Sequence, residues 1–221
     1  MTVPVPVVLP LFPLNLVLFP GVPLPLHIFE PRYRRMVENC LEKGQGFVVA
    51  LTREDPDRED GAHDWATVAS IEDSVRLDDG RYNILTLGQF RVRVLRQVEG
   101  APYPQALVVP APDPEPQVAS AWLESLHATY REYAGLLGRF AAVPLPEVLP
   151  EDPAQATWVA AWALHVDHAD KQRMLECPGV PERAEMVRRR MLEELSRLRD
   201  FAAALENNGY FFHRGMRFSR N

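Results

Sequence analysis

The 221 residues predict an α+β fold: a small, mixed, barrel-like β part with one short helix over residues 1–112, then a helical part over 113–221. Three observations support this division. From Thr67 to Pro110 the apolar residues keep a period of two in short runs, as strands do. Beyond residue 117 they step by three or four, as amphipathic helices do. Between these regions, residues 110–116 (PAPDPEP) hold four prolines in seven positions, which predicts a stiff connector with no task of its own.

The opening segment comes first. Residues 1–29 contain no Asp, Glu, Lys or Arg, yet prolines stand at 4, 6, 10, 13, 20, 23 and 25. A membrane-spanning helix needs roughly 20 apolar residues with every backbone group bonded internally. Proline removes a donor, and each interior proline costs a helix about 3 kcal/mol. No Lys or Arg precedes the apolar stretch, so it does not read as a secretory signal either. Short buried strands remain, over 7–12, 16–19 and 23–29, with Pro20-Gly21 as a turn.

Pro31 suits a first helical position, where its missing donor costs nothing. Met36, Val37, Cys40 and Leu41 then fall at helical spacing, which predicts a helix over 31–42 ended by Gly44. Residues 46–52 (GFVVALT) read as a buried strand. Residues 53–64 carry clustered charge with Pro and Gly and read as an exposed loop. Strands follow over 66–71, 82–87, 90–95 and 105–109, with Asp79-Gly80 as a hairpin turn and Gly88 as a bend or bulge. In the second half, Val118, Trp122, Leu126, Tyr130, Tyr133, Leu137 and Phe140 predict a helix over about 118–141. Asp152-Pro153 starts another, with Trp158 and Trp162 on one face. The last runs from Pro181 to about Leu205 on a stripe from Ala184 through Val187, Met191 and Leu195.

Charge bounds the function. The net charge is −6, and residues 1–112 carry 11 basic against 14 acidic side chains. A phosphate-backbone binder needs clustered cations, so nucleic acid is not the expected partner. Cys40 and Cys177 lie far apart in apolar or helical settings, which predicts reduced, buried thiols and a cytoplasmic protein.

LPLFPLNLVLFPG followed by LPLHIFEPRYRRMVENCL resembles the opening of the N-terminal, substrate-binding domain of the Lon ATP-dependent protease. GFVVALT, TVASIED, DGRYNILTLGQFRVRVL and PYPQALV follow that domain's pattern in order. LHVDHADKQRMLECPGVPERAEMVRRRMLEEL is similar to its helical bundle, so the match covers roughly residues 7–205. The resemblance implies a pseudo-barrel similar to the PUA fold, and a non-catalytic role in binding unfolded or damaged polypeptides. A protease or chaperone partner and a part in protein quality control are implied with it. Lys43 follows Glu42 and Lys171 follows Asp170, so no Gly-Lys-Ser/Thr phosphate loop exists in these residues. Nothing matches Lon's protease domain, and the expectation is a stand-alone N-domain that is not an enzyme.

His165 and His168 read as sharing a helix face, but no third or fourth ligand accompanies them, and no metal or cofactor is expected. None of the six serines stands in a nucleophile elbow, and the helix stripe buries Cys40. Glu30 to Arg35 offers guanidinium groups beside Tyr33, although an internal Glu30–arginine pair fixing the corner is the favoured reading. Arg91 and Arg93 alternate with Val92 and Val94 and predict the solvated face of a strand. The tail over 207–221 combines Tyr210, Phe211, Phe212 and Phe218 with arginines, and its aromatics are expected to pack back on the helices. Tyr33, Tyr82, Phe90 and Tyr103, aromatics near corners of the β part, are the candidate substrate-binding residues. An RNA-binding module and a small-ligand domain are the alternatives, although no polar cluster in the sequence marks a ligand pocket.

Overall fold

The computed structural model describes residues 5–53, 61–98, 102–114, 120–140 and 145–207. In chain order the elements are β1 (Val7–Leu14), β2 (Pro23–Ile28), α1 (Pro31–Lys43), β3 (Phe47–Leu51), β4 (Trp65–Arg76), β5 (Tyr82–Val98) and β6 (Gln105–Pro110). The helices α2 (Ser120–Leu137), α3 (Pro153–Ala163), α4 (His168–Glu176) and α5 (Val180–Asn207) follow. The fold is α+β, as the hydrophobic periods predict.

The sheet runs in the order β2-β5-β4-β3-β1-β6, and a further β5–β6 ladder closes all but β2 into a barrel. Only β1–β3 is parallel. β5 is 17 residues long because it serves two neighbours. Tyr82 to Leu87 pair with β2, and Val92 to Val98 pair with β6. The predicted break at Gly88 is a bulge within this one strand, where the register against β4 shifts between Val68 and Ala69. A Cβ on Gly88 would stand 2.3 Å from the Phe19 carbonyl oxygen, so a side chain there forces the backbone to shift.

Residues 16–19, read as a strand, form no ladder. Val17, Leu18 and Phe19 are buried, but their segment lies across the sheet. Its backbone is satisfied piecemeal: Thr67 Oγ1 donates to the Leu18 carbonyl at 2.6 Å, and Gly21 N donates to Gly88 O at 2.8 Å. Phe19 stacks on Trp158 of α3, ring centroids 5.8 Å apart. Hydrophobicity marked the burial correctly; the partner that satisfies the backbone is not visible in a local pattern.

The buried residues fall into two clusters on opposite sides of the barrel wall. Leu11, Val48, Ala50, Ala66, Val68, Val92, Ala106 and Val108 fill the inside. Phe12, Phe47, Val49 and Leu51 point outward into a larger core shared with α1 and the helices from α2 onward. Both faces of β3 are therefore covered, which is why it reads as an unbroken apolar run. α1 buries Tyr33, Met36, Val37 and Cys40 and ends at Gly44 in the left-handed region, φ 60°. Leu41, placed on the same stripe by spacing, is exposed. Asp152 caps α3 by accepting from Gln155 N at 2.8 Å, as its sequence predicts.

Three expectations for the charged and helical residues are corrected. His165 and His168 do not share a helix face: α3 stops at Ala163, and Asp167 caps a separate helix that starts at His168. Arg91 is not on a solvated face. It is 4% exposed, because α3, α4 and α5 lie over that side of β5. The 110–116 connector also has a task, since its Asp113 is the carboxylate to which Arg91 is bound. Arg91 Nη2 lies 3.1 Å from Asp113 Oδ1, while its Nε donates to Ala111 O at 2.8 Å and its Nη1 to Leu175 O at 2.8 Å. Arg183, fully buried in α5, grips the same carboxylate through both terminal nitrogens, at 2.9 and 2.7 Å, and bonds Thr157 Oγ1 through Nε. Its guanidinium lies 3.3 Å from the Trp158 ring centroid. Two cations share one carboxylate; carbonyls at the C-terminal end of α4, Leu175 and Cys177, face the excess positive charge.

The Glu30–Arg35 corner follows the structural reading. Arg32 Nε is 3.0 Å from Glu30 Oε2, with both side chains well exposed. Such a pair orients the corner and adds little stability. Residues 208–221, including the aromatic and basic tail, lie outside the described residues.

Replacing Asp113 by Asn leaves two buried guanidinium groups without a counter-charge, and we expect a loss of about 3–5 kcal/mol in urea unfolding. Gly88→Val is expected to cost about 1–3 kcal/mol by overpacking against the Phe19 carbonyl, read in the same assay.

Candidate functional site

β2 is the edge of the sheet, and with the first half of β5 and the second half of β4 it forms a three-stranded extension beyond the barrel. Alternation along these strands splits their side chains. Ile28, Tyr82 and Ile84 turn into the core. Pro25, His27, Asp73, Val75, Asn83 and Leu85 turn outward. The ladders place Pro25, Leu85 and Asp73 in one row and His27, Asn83 and Val75 in the next. These side chains, with parts of Leu26 and Ile84, line a shallow groove of ≈ 430 Å³. Val75 is 54% exposed, Leu85 43%, and Phe29 just beyond β2 is 61%. Three large apolar groups at one end of a sheet form a patch of the kind that marks interaction surfaces.

Polar groups organise one end of the groove. Arginine only donates, so Arg81 Nη1 at 3.1 Å from His27 Nε2 makes that nitrogen the acceptor. The imidazole proton then sits on Nδ1 and is donated to Asn83 Oδ1 at 2.6 Å. The His27 ring is thereby held in one orientation, with Phe29 stacked at 6.3 Å between centroids. Arg81 also pairs with Asp79 at 2.6 Å, and Arg34 Nη1 donates to the Asp79 carbonyl at 3.2 Å. The bond from the Arg81 backbone N–H, with the Arg81 and Arg34 charges, holds the Asp79 carboxyl below its usual range. The edge itself is blunted, because Pro23 and Pro25 have no N–H to offer an added strand.

The four aromatic candidates do not form a cluster. Tyr33, Tyr82 and Tyr103 are 4%, 6% and 6% exposed and belong to the core. Tyr103 accepts from Asn39 Nδ2 at 2.9 Å, and Tyr82 donates to Glu38 at 3.3 Å. Tyr82 lies on the inner face of the same three strands, behind the groove. Phe90 is 45% exposed and stands on β5 beyond the bulge. The groove residues were missed in the sequence because Leu85 and Val75 read as ordinary members of alternating strands. Only Phe29, an apolar residue next to a charged corner, carried a signal.

Among the described residues, no helix is long and apolar enough to cross a membrane. No group of three or more His, Cys, Asp or Glu among them could hold a metal ion.

Comparison with known proteins gives one consistent result. The family described as the ATP-dependent protease La (LON) substrate-binding domain matches residues 8–193. Lon protease of Desulfovibrio desulfuricans is 26% identical over 200 residues, covering 86% of this chain and 23% of that protein. Lon protease 2 of Myxococcus xanthus is 29% identical over 213 residues, covering 89% of this chain and 24% of the relative. The chain thus spans about a quarter of the length of these curated relatives. Among solved structures, a Lon N-terminal domain protein from Xanthomonas campestris superposes with a TM-score of 0.62 at 24% identity, covering 82% of this chain and 96% of the other. The N-terminal domain of a Mycobacterium avium complex Lon protease gives 0.56 at 19%, covering 83% and 97%. At these identities the two structures show a shared fold.

The thiols offer no nucleophile. Cys40 and Cys177 are free and buried. Burial, only partly opposed by Lys43 and Gln45, pushes the Cys40 thiol from its ordinary 9.0 up to about 11. The sign follows: the stability gained by keeping this thiol protonated is complete below pH 9 and is lost as pH rises towards 11. Iodoacetamide at pH 8 is expected to leave Cys40 unmodified in the native protein and to alkylate it once urea unfolds the chain, as read by mass spectrometry.

Proposed function

The chain belongs to the LON substrate-binding domain family, and from that premise we propose that it holds apolar segments of unfolded polypeptides in the groove on the outer face of β2, β5 and β4. The observation that carries this reading is the exposure of Val75, Leu85 and Phe29 around one groove, beside an edge strand. A client segment lying there gains by covering apolar side chains, at roughly 25 cal/mol per Å² removed from water. The edge prolines prevent a full added-strand ladder, so side chains rather than client backbone supply the contact. Such a grip is tolerant of sequence, which suits a binder of many clients.

His27, Asn83 and Arg81 close one end of the groove and limit how far an apolar segment extends. Phe90, beyond the bulge on the same strand, offers a separate exposed apolar contact, and Tyr82 supports the groove from behind. The role is binding without catalysis: these residues deliver clients to a protease or chaperone, as an adaptor in protein quality control in the cytoplasm. In this reading the helices position the β part and do not themselves meet the client.

The test uses permanently unfolded, reduced and carboxymethylated lactalbumin carrying a fluorescent label, followed by anisotropy. The double variant Val75→Asp/Leu85→Asp is expected to weaken binding at least about tenfold, because two apolar contacts of ~1 kcal/mol or more are replaced by charges. Both side chains are exposed, so the melting temperature should stay within a few degrees of the parent. Undiminished binding by a folded double variant would place the client elsewhere.

A further inference from the structure

A second cavity, of ≈ 450 Å³, lies among the helices and is lined by Leu145, Trp162, Val166 and Lys171, with backbone or side-chain atoms of residues 163–165. Trp162 and Val166 are half-buried apolar walls that also pack on the main core, and Leu145 does the same from the α2–α3 connection. Lys171 projects into this setting from α4. Its Nζ donates to the Trp162 carbonyl at 3.0 Å, and no carboxylate lies within ion-pair distance of it among the described residues. Burial lowers the affinity of the amine for its proton, and only the more distant charge of Glu194 opposes this. A cation in an apolar pocket without a paired anion is costly, and native structures rarely leave one so.

Glu194, the nearest acidic influence on Lys171, is engaged elsewhere through Oε2. Its carboxylate accepts the Tyr133 hydroxyl proton and lies 3.4 Å from His165 N. Burial first, then Glu194, raises Tyr133 far above the ordinary phenol range, so the hydroxyl stays protonated and the bond persists. His165 Nδ1 lies 3.5 Å from the same hydroxyl oxygen, which draws the imidazole to the pocket wall. His165 and Lys171 are the polar residues that line this cavity, Tyr133 and Glu194 hold His165 from α2 and α5, and Lys171 has ammonium protons left to donate.

We propose that this cavity binds a carboxylate carried on a compact apolar body, with the carboxylate on Lys171 Nζ and the body against Trp162, Leu145 and Val166. The volume suits a group the size of one aromatic or branched residue. Two sources share that chemistry: a free organic acid, and the C-terminal residue of a polypeptide. The site stands on its own observations and is separate from the groove on the sheet.

The experiment titrates the full chain by calorimetry with 3-phenylpropionate and, in parallel, with its primary amide. Acetyl-Gly-Gly-Phe is used as the free acid and as the C-terminal amide. Saturable binding of at least one free acid is expected, with its amide at least about tenfold weaker, since a charge-assisted bond is lost. Binding of both acids assigns the site to polypeptide C-termini as well; binding of phenylpropionate alone assigns it to free acids. Lys171→Met, which keeps the length of the stem, should reduce binding about tenfold or more. Leu145→Glu supplies a competing carboxylate from a partly exposed position and should do the same if Lys171→Met proves unstable. Equal binding of acid and amide, no binding of either acid, or full binding by a folded variant would overturn the proposal.

Discussion

Arg91, Asp113 and Arg183 form the constraint on which the arrangement of this molecule depends. Arg91 stands in the middle of the longest strand, Asp113 in the connector that leaves the sheet, and Arg183 near the start of the longest helix. One carboxylate between two buried guanidinium groups links all three, with Trp158 of α3 against Arg183 and the last carbonyls of α4 against Arg91. An ion cluster of this kind is weak evidence for net stability, because desolvating three charges offsets most of the attraction. It is strong as a specifier of register. An incorrect docking of α3, α4 and α5 on β5 would leave charges buried without partners, which costs more than any loss of apolar contact there.

That docking decides which sheet surfaces are covered. The helices cover the side of β5 that carries Arg91, while α1 covers the inner face of β2 and the first half of β5. Among the described residues no helix lies against the outer face of the β2–β5–β4 extension, and the groove lies there. The bulge at Gly88 makes this possible. Before it, β5 pairs with β2 and turns Leu85 outward; after it, β5 pairs with β6 and closes the barrel. A backbone carbonyl 2.3 Å from where a Cβ would stand means that any other residue there must displace the backbone.

The helical half shows the same principle in a polar cluster. Tyr133, His165, Lys171 and Glu194 lie tens of residues apart in the chain for the most part. Each alone reads as an ordinary helical or loop residue. Packing α2, α4 and α5 together links them, with Glu194 engaged by Tyr133, and His165 and Lys171 lining the cavity.

Local pattern was sufficient for much of the fold. The prolines that excluded a spanning helix at residues 1–29, the Pro31 start and Gly44 stop of α1, the Asp79-Gly80 turn and the Asp152 cap of α3 are all decided by residues within a turn of one another. Backbone sterics and short hydrogen bonds act over that range, so these features were readable in the sequence. The family was readable too, because its strand motifs stand in a fixed order. His165 and His168 were misjudged because α3 stops at Ala163 and Asp167 caps a new helix. Arg91 and its partner Asp113 were misjudged for another reason. Alternation tells that two sides of a strand differ, but not which side another element will cover. Burial is set by contacts between residues far apart in the chain, and so are the buried charge cluster, the groove and the helical cavity. The sequence by itself determined most of the elements and the family; the tertiary packing alone decided which faces stayed open to a partner.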